Sequence, residues 1–332
     1  MKILITGAAG FIGSHMVRAL VNRGNSVLPL DNFADYYSVD YKRLRVRELH
    51  EDPNQLQIVD ISDRVALEQA FSSFKPEYVI HLAAQAGVRL SLNQSQIYIS
   101  SNIEGFYNVL CCAEDYGVKG FLYASSSSVY GNSSKASFSE KETSLHPVSF
   151  YGATKLSNEI LADASSKNSD LKTRGLRFFT VYGPWGRPDM VYFRMVHSAL
   201  SGSPFNFFGT GEVRRDFTYI DDVTSSVSAL VFDLSQRDSS FSDVVNIGGG
   251  KPISISGCLK IIEEIIGSSV PYNRRDADSR DVELTNADFT YLNEITGNFP
   301  KTSAKQGFDN FVSWATRPDI QSRLALWVNS VH

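Results

Sequence analysis

Two stretches of the chain carry residues able to move a proton. Ser149-Phe-Tyr151-Gly-Ala-Thr-Lys155 sets Tyr151 and Lys155 four residues apart. On a helix that spacing stacks both side chains on one face, one turn apart. Ser149 suits an N-cap, and Leu156, Ile160 and Leu161 continue the helical spacing. A free phenol, with a pKa of about 10, is a poor base at neutral pH. An ammonium held beside it favours the phenolate and brings it toward working pH. The second stretch, Ser125-Ser126-Ser127-Ser128, offers hydroxyls that can share a proton with a substrate. Alone, Tyr-x-x-x-Lys is a spacing that surface helices show by chance. Its meaning comes from the segments that must position it.

Those segments belong to a chain of 332 residues, enough for one large domain or two modest ones. At 42% hydrophobic and 20% charged, the composition is that of a soluble globular protein. A net charge of −4 argues against nucleic-acid binding, which usually brings a basic surplus. No apolar run approaches the roughly 20 residues that cross a bilayer, so no membrane role is expected. The chain goes from Met1-Lys2 straight into Ile3-Leu4-Ile5-Thr6-Gly7, too short and glycine-bound for a signal peptide. Three cysteines, Cys111 and Cys112 adjacent, make neither a disulfide framework nor a metal site. A reducing cytoplasm and no metal are the expectations.

Lys2–Thr6 reads as a short buried strand and Phe11–Asn22 as the helix after it. The turn between them, Gly7-Ala-Ala-Gly10-Phe-Ile-Gly13, has the physics of a dinucleotide site. Glycines let the backbone approach a pyrophosphate that rests on the free N–H groups of Phe11 and Ile12 at the helix start. The spacing is G-x-x-G-x-x-G rather than the general G-x-G-x-x-G. A second strand, Ser26–Leu30, ends at Asp31, the distance at which a carboxylate bonds adenosine ribose hydroxyls. Asn32-Phe33 follow with no basic residue for a 2′-phosphate, which favours NAD over NADP. Further strands are predicted over Gln55–Val59, before Asp60-Ile61, and over Tyr78–Leu82, before Ala83-Ala84. Lys119–Ser125 and Thr173–Thr180 read as two more. Helical patterns at Asp63–Phe74 and Gln94–Tyr116 separate them. Alternation of this kind predicts an α/β, Rossmann-type, doubly wound parallel sheet with its ligand at the carboxyl edge.

After Val181 the pattern loosens into Tyr182-Gly-Pro-Trp-Gly-Arg187-Pro-Asp-Met190, rich in turn formers. A smaller C-terminal α/β lobe is predicted from here. The dinucleotide domain is expected over residues 1–180, with about 215–248 returning to it; residues 181–214 and 249–332 form the lobe.

Taken together, these residues resemble the extended short-chain dehydrogenase/reductases, in their nucleotide-sugar epimerase and dehydratase branch. The matches are Thr6-Gly-Ala-Ala-Gly-Phe-Ile-Gly13, Asp60-Ile61, His81-Leu-Ala-Ala84, Ser126 to Gly131, Tyr151-x-x-x-Lys155 and Arg215-Asp-Phe-Thr-Tyr-Ile-Asp221. Within the branch, Asp31-Asn-Phe-Ala-Asp-Tyr-Tyr37, Gln85-Ala-Gly-Val-Arg89 and Gly183-Pro-Trp-Gly-Arg-Pro-Asp-Met190 look like UDP-glucuronate 4-epimerases. The resemblance implies Tyr151 as base, Lys155 as its electrostatic partner and ribose ligand, and Ser126 as the proton-sharing hydroxyl. It implies cofactor contacts at Gly7, Gly10, Phe11, Ile12, Gly13, Asp31, Asn32, Asp60, Ile61, Leu82, Ala83 and Ala84. Ser127, Ser128 and Thr180 are implied at the sugar, Asn102 as an orienter of Lys155, and a homodimer built on the helices around 94–116 and 151–165. Related 4,6-dehydratases place Asp-Glu where this chain has Ser127-Ser128, and UDP-glucuronate decarboxylases a Glu at Ser128. Hydroxyls cannot serve as the acid and base of dehydration.

The implied reaction is NAD-dependent 4-epimerisation of a UDP-sugar. Tyr151 takes the 4-hydroxyl proton as hydride leaves C4, the 4-keto sugar turns over, and hydride returns to the opposite face. A uronate carboxylate lies beta to the transient ketone and has to be gripped, which a guanidinium does bidentately. Arg187 is the first candidate and Arg89 the second. Arg215, Arg275 or Arg280 is expected on the diphosphate, since the family's usual arginine is replaced by Asp278. His81 is expected to support its strand edge, and Phe205, Phe207 and Phe208 to wall the uracil or to join the core. Rival readings are a 4-epimerase of a neutral UDP-hexose or N-acetylhexosamine, a decarboxylase disfavoured by Ser128, and a silent NAD-binding protein.

Overall fold

Ile3, Leu4 and Ile5 are wholly buried, as expected of a strand covered on both faces. In the computed structural model, which describes residues 1–87, 95–132, 135–277, 282–297 and 299–330, they form β1 (Lys2–Thr6). Around it lie β2 (Ser26–Asp31), β3 (Gln57–Ile58), β4 (Tyr78–His81), β5 (Gly120–Ser126) and β6 (Lys172–Phe178). Shorter strands follow: β7 (Thr180–Tyr182), β8 (Phe205–Phe208), β9 (Arg214–Arg215) and β10 (Phe217–Tyr219). The last are β11 (Ser242–Ile247), β12 (Ile253–Ser254) and β13 (Tyr272–Arg275). The main sheet is seven-stranded, in the order β3-β2-β1-β4-β5-β6-β11, and its pairings are parallel. Strand order reverses between β1 and β4, and that switch point opens the crevice where a doubly wound sheet receives its ligand.

The helices alternate with the strands as the periodicity requires. They are α1 (Phe11–Val21), α2 (Val39–Leu49), α3 (Arg64–Phe74), α4 (Ser95–Tyr98), α5 (Gly105–Asp115) and α6 (Phe150–Asn168). Beyond them come α7 (Val191–Ser201), α8 (Ile220–Ser235), α9 (Ile255–Ile266), α10 (Thr290–Thr296) and α11 (Ala304–Ala315). Sheet and helices share two large buried apolar clusters. The small sheets β10-β7, β12-β9 and β13-β8 carry the chain beyond the main sheet. Phe205 and Phe207 are core residues, while Phe208 is exposed.

Three expected elements differ. The strand over 55–59 shortens to Gln57–Ile58, because Pro53–Gln55 forms a 3₁₀ turn and the strand lies at an exposed edge. The helix over 94–116 is interrupted by a π-helical segment, Ile99–Glu104, between α4 and α5; Gln94 lies outside the described residues. The strand over 173–180 ends at Phe178. Phe179 N–H still reaches Ile247 O, but Thr180 N–H turns to Asp216 O, and β7 leaves to pair with β10. No described helix is long and apolar enough to cross a membrane.

Candidate active site

The glycine turn is built for close approach. Gly7 has φ +71, and a Cβ there would lie 2.6 Å from Ala83 N; a Cβ on Gly13 would lie 2.0 Å from Gly7 O. The first site thus sits against the chain leaving β4, where Leu82 N–H donates to Thr6 O and Ala83 N–H to Thr6 Oγ1. Gly10 caps α1 without a side chain, so the N–H groups of Phe11 and Ile12 begin the helix uncapped by any hydroxyl or carboxylate. Such a helix start favours an anion. At the end of β2, Asp31 accepts from Ala9 N–H at 3.0 Å and Phe33 N–H at 2.7 Å. Asn32 donates to Asp60 at 2.8 Å, joining two of the expected contacts. Partial burial works against the Asp60 carboxylate, but the Ser62 N–H, the Asn32 amide and the Ser62 hydroxyl hold it below its usual range. Ile61 is buried beside it, and Ala84 continues the β4 edge. A dinucleotide fits these residues: a glycine cradle, a bare helix start and a carboxylate one strand away.

Ser149 caps α6 as its sequence position requires, accepting from Gly152 N–H at 3.0 Å. This places Tyr151 in the first turn and Lys155 one turn on. Lys155 is 1% exposed and donates to Ala124 O at 2.9 Å, with its ammonium 5.8 Å from the Tyr151 ring centre. Burial lowers its pKa to about 8. Burial raises Tyr151 above its ordinary value, and what opposes the rise is the Arg187 cation together with the neighbouring Ser126 hydroxyl. Lys155 also donates to a backbone carbonyl, and the Arg187 cation adds to the pull on the phenol.

Ser126 ends β5. Its hydroxyl accepts from Ser128 N–H and donates to Ser128 Oγ, both at 3.1 Å, which folds Ser127–Tyr130 into a 3₁₀ turn facing α6. Asn102 is buried in the π-helical segment and bonds the residue that precedes Lys155. Its amide donates to the Thr154 hydroxyl and Gln85 O and accepts from Gln85 N–H, pinning the chain after β4 to the catalytic helix. A π turn at such a place re-aims one side chain without breaking the helix. His81 bonds Thr6 Oγ1 at 2.8 Å, and burial lowers it to about 3, so it stays neutral at working pH.

Thr180 begins β7, half-buried. Arg187 reaches the same region from the turn after β7 and is paired with Asp189, Nε to Oδ1 at 3.0 Å. Arg215 donates to Arg214 O and Val282 O, and Arg275 to Asn206. Arg89 and Arg280 lie outside the described residues. Sequence reasoning passed over Arg45. It is wholly buried and joins Ala9 O, the Tyr37 hydroxyl and Trp185 O, tying the glycine turn to the segment that carries Arg187.

Known proteins resemble this chain in sequence and fold. A probable UDP-glucuronate 4-epimerase of Rhizobium meliloti is 37% identical over 331 residues, 95% of this chain and 96% of the relative. The solved structure of UDP-glucuronic acid 4-epimerase from Bacillus cereus, in complex with UDP-glucuronic acid and NAD, matches at TM-score 0.87 and 34% identity. That match covers 95% of this chain and 98% of the other. UDP-glucose 4-epimerase from Thermotoga maritima, with UDP-glucose, matches at TM-score 0.85 and 31% identity over the same shares. Residues 3–248, from β1 through the last strand of the main sheet, match the NAD dependent epimerase/dehydratase family, and to that family this chain belongs.

Proposed function

We propose that the protein is an NAD-dependent UDP-sugar 4-epimerase, an isomerase that interconverts UDP-glucuronate and UDP-galacturonate. The observation that carries this is the start of α6, where the buried Lys155 holds its ammonium 5.8 Å from the Tyr151 ring centre, opposite the turn in which the Ser126 hydroxyl bonds Ser128. Residues 1–180 and about 215–248 hold the dinucleotide, and residues 181–214 and 249–332 hold the nucleotide sugar. The diphosphate of the cofactor lies on Gly7, Gly10, Gly13 and the N–H groups of Phe11 and Ile12. Asp31 and Asn32 take a ribose, while Asp60, Ile61, Leu82, Ala83 and Ala84 line the crevice.

NAD supplies the removal and return of a hydride at one sugar carbon. The chain's own work is proton transfer and orientation. Tyr151 Oη takes the proton of the 4-hydroxyl and later returns it, with Ser126 sharing it. Lys155, its ammonium 5.8 Å from the Tyr151 ring centre, is the electrostatic partner of the phenol and bonds the ribose. Ser127, Ser128 and Thr180 offer hydroxyls to the sugar, and Ser127-Ser128 stand where the related dehydratases carry the Asp-Glu that dehydration needs. Arg187 holds the uronate carboxylate bidentately, which keeps it from leaving as carbon dioxide. Arg215, Arg275 or Arg280 takes the nucleotide diphosphate.

Purified protein is to be assayed with UDP-glucuronate, UDP-glucose and UDP-N-acetylglucosamine separately. Epimerisation of the uronate is expected, and Tyr151→Phe should lower kcat by about 10³-fold while NAD stays bound. Undiminished turnover in Tyr151→Phe would refute the mechanism. A neutral UDP-hexose is the second reading, because Arg187 and Asp189 together carry no net charge; turnover of UDP-glucose alone would establish it.

We further infer a cytoplasmic homodimer. Ile97, Ile99, Tyr107, Phe150 and Ile160 leave apolar surface exposed on α4 to α6, where a second copy would cover it. Light scattering should give twice the mass of one chain, and a mass of one chain would remove the dimer.

A further inference from the structure

Arg187 and Asp189 flank Pro188 in the turn that leads into α7, and Met190 N–H closes that turn on Arg187 O at 3.2 Å. The pair is bidentate. Nε donates to Oδ1 at 3.0 Å and Nη2 to Oδ2, with 23% of the Arg187 side chain and 15% of the Asp189 side chain exposed. Tyr36 braces both partners. Its hydroxyl stands 3.5 Å from Asp189 Oδ2, and its ring centre 5.7 Å from the guanidinium carbon. A planar guanidinium has two edges that can each grip a carboxylate, Nε with Nη2 and Nη1 with Nη2. Asp189 fills the first, and among the described residues it is the hydrogen-bond partner Arg187 has.

We propose that Asp189 is a positioning residue that sets sugar selectivity: it clamps Arg187 by its Nε edge, cancels its charge, and leaves the Nη1 edge for the substituent at C5 of the sugar. The proposal rests on the reading of Arg187 as the carboxylate ligand. A uronate arriving at the open edge gains two charge-assisted hydrogen bonds but meets the Asp189 carboxylate across the guanidinium. A neutral sugar meets a neutral pair instead of a lone, half-buried cation. Asp189 therefore narrows the difference between the two substrate classes while fixing where the guanidinium points. Tyr36 keeps the clamp in place by donating to Asp189.

The test is Asp189→Asn, which removes the charge and keeps the shape. The KM for UDP-glucuronate should fall about fivefold relative to the KM for UDP-glucose, with no matching rise in kcat. An unchanged ratio, or one that moves the other way, overturns the proposal. If the single variant does not fold, Arg187→Met with Asp189→Asn is compared with Arg187→Met alone. Equal KM ratios in those two support action through Arg187, and unequal ratios overturn it. Arg187→Met also separates the two layers of inference. If it leaves the KM for UDP-glucuronate unchanged, the carboxylate reading itself fails. If that KM rises but does not respond to Asp189→Asn, the clamp alone fails.

Discussion

Two bidentate arginine–carboxylate pairs lie near the catalytic helix, and they are used differently. Behind the site, Arg177 on β6 gives Nε and Nη2 to Glu159 on α6, each at 2.8 Å, and Nη1 to the Tyr130 hydroxyl at 2.8 Å. Ser125 donates to the same carboxylate, and Tyr130 donates to Asn246 on β11. Both ions are buried, at 3% and 8% side-chain exposure. At the front of the site, the Arg187–Asp189 pair has one guanidinium edge without a described protein partner. The rear network is closed: it fixes α6 against β5, β6 and β11, and so sets where Tyr151 and Ser126 stand. The front pair leaves Nη1 outside the Asp189 clamp, the edge proposed for the substrate. Identical side-chain chemistry reads as scaffold in one place and as a ligand site in the other. The distinction is whether every donor already has a partner.

Breaking the rear pair tests the contrast most severely. Arg177→Ala leaves Glu159 buried and unpaired, which should cost about 3–5 kcal/mol of stability in a denaturant titration and depress turnover of every sugar together. A loss confined to UDP-glucuronate would erase the division of labour. A third buried cation, Lys155, has a carbonyl partner in Ala124, and burial sets its pKa near 8. Its folded value lies below its unfolded value of about 10.4, so the unfolded chain binds more protons between those limits. Stability of the dinucleotide-free protein should therefore rise with pH from about 8 to about 10, by up to about 3 kcal/mol, relative to Lys155→Met. A flat difference between the two proteins would mean the ammonium is solvated or paired. The front pair should be the gentlest to break. Arg187→Ala is expected to raise the KM for UDP-glucuronate about 10-fold or more and to change stability by about 1 kcal/mol. A stability loss as large as that of Arg177→Ala would make the two pairs alike.

Much of the site was legible because its parts are local in sequence. Gly7, Gly10 and Gly13 lie within one strand–turn–helix unit, and Ser149, Tyr151 and Lys155 within two turns of one helix. Spacing rules see such groups directly. They do not see the second cation that acts on the phenol. Lys155 is four residues from Tyr151, whereas Arg187 arrives from a turn 36 residues on, as the numbering shows. Arg45 escaped for the same reason, since its partners Ala9 and Trp185 are 36 and 140 residues away. The π-helical turn was hidden as well. Its effect is to rotate Asn102 toward Thr154 by one residue's worth of phase, and apolar periodicity is too coarse to register that. The break after Phe178 follows from Thr180 finding a partner in a segment whose own strand is three residues long. A three-residue strand carries no period to read.

The order of strands in the main sheet also has a temporal meaning. The edge of β6 is completed by β11, whose residues 242–247 are synthesised long after β6 ends at Phe178. On the ribosome, six parallel strands and their helices can assemble while that edge stays open, bearing unsatisfied N–H and C=O groups beside Leu176 and Phe178. The nascent chain must therefore keep an adhesive margin apart from its neighbours until residue 247 has emerged.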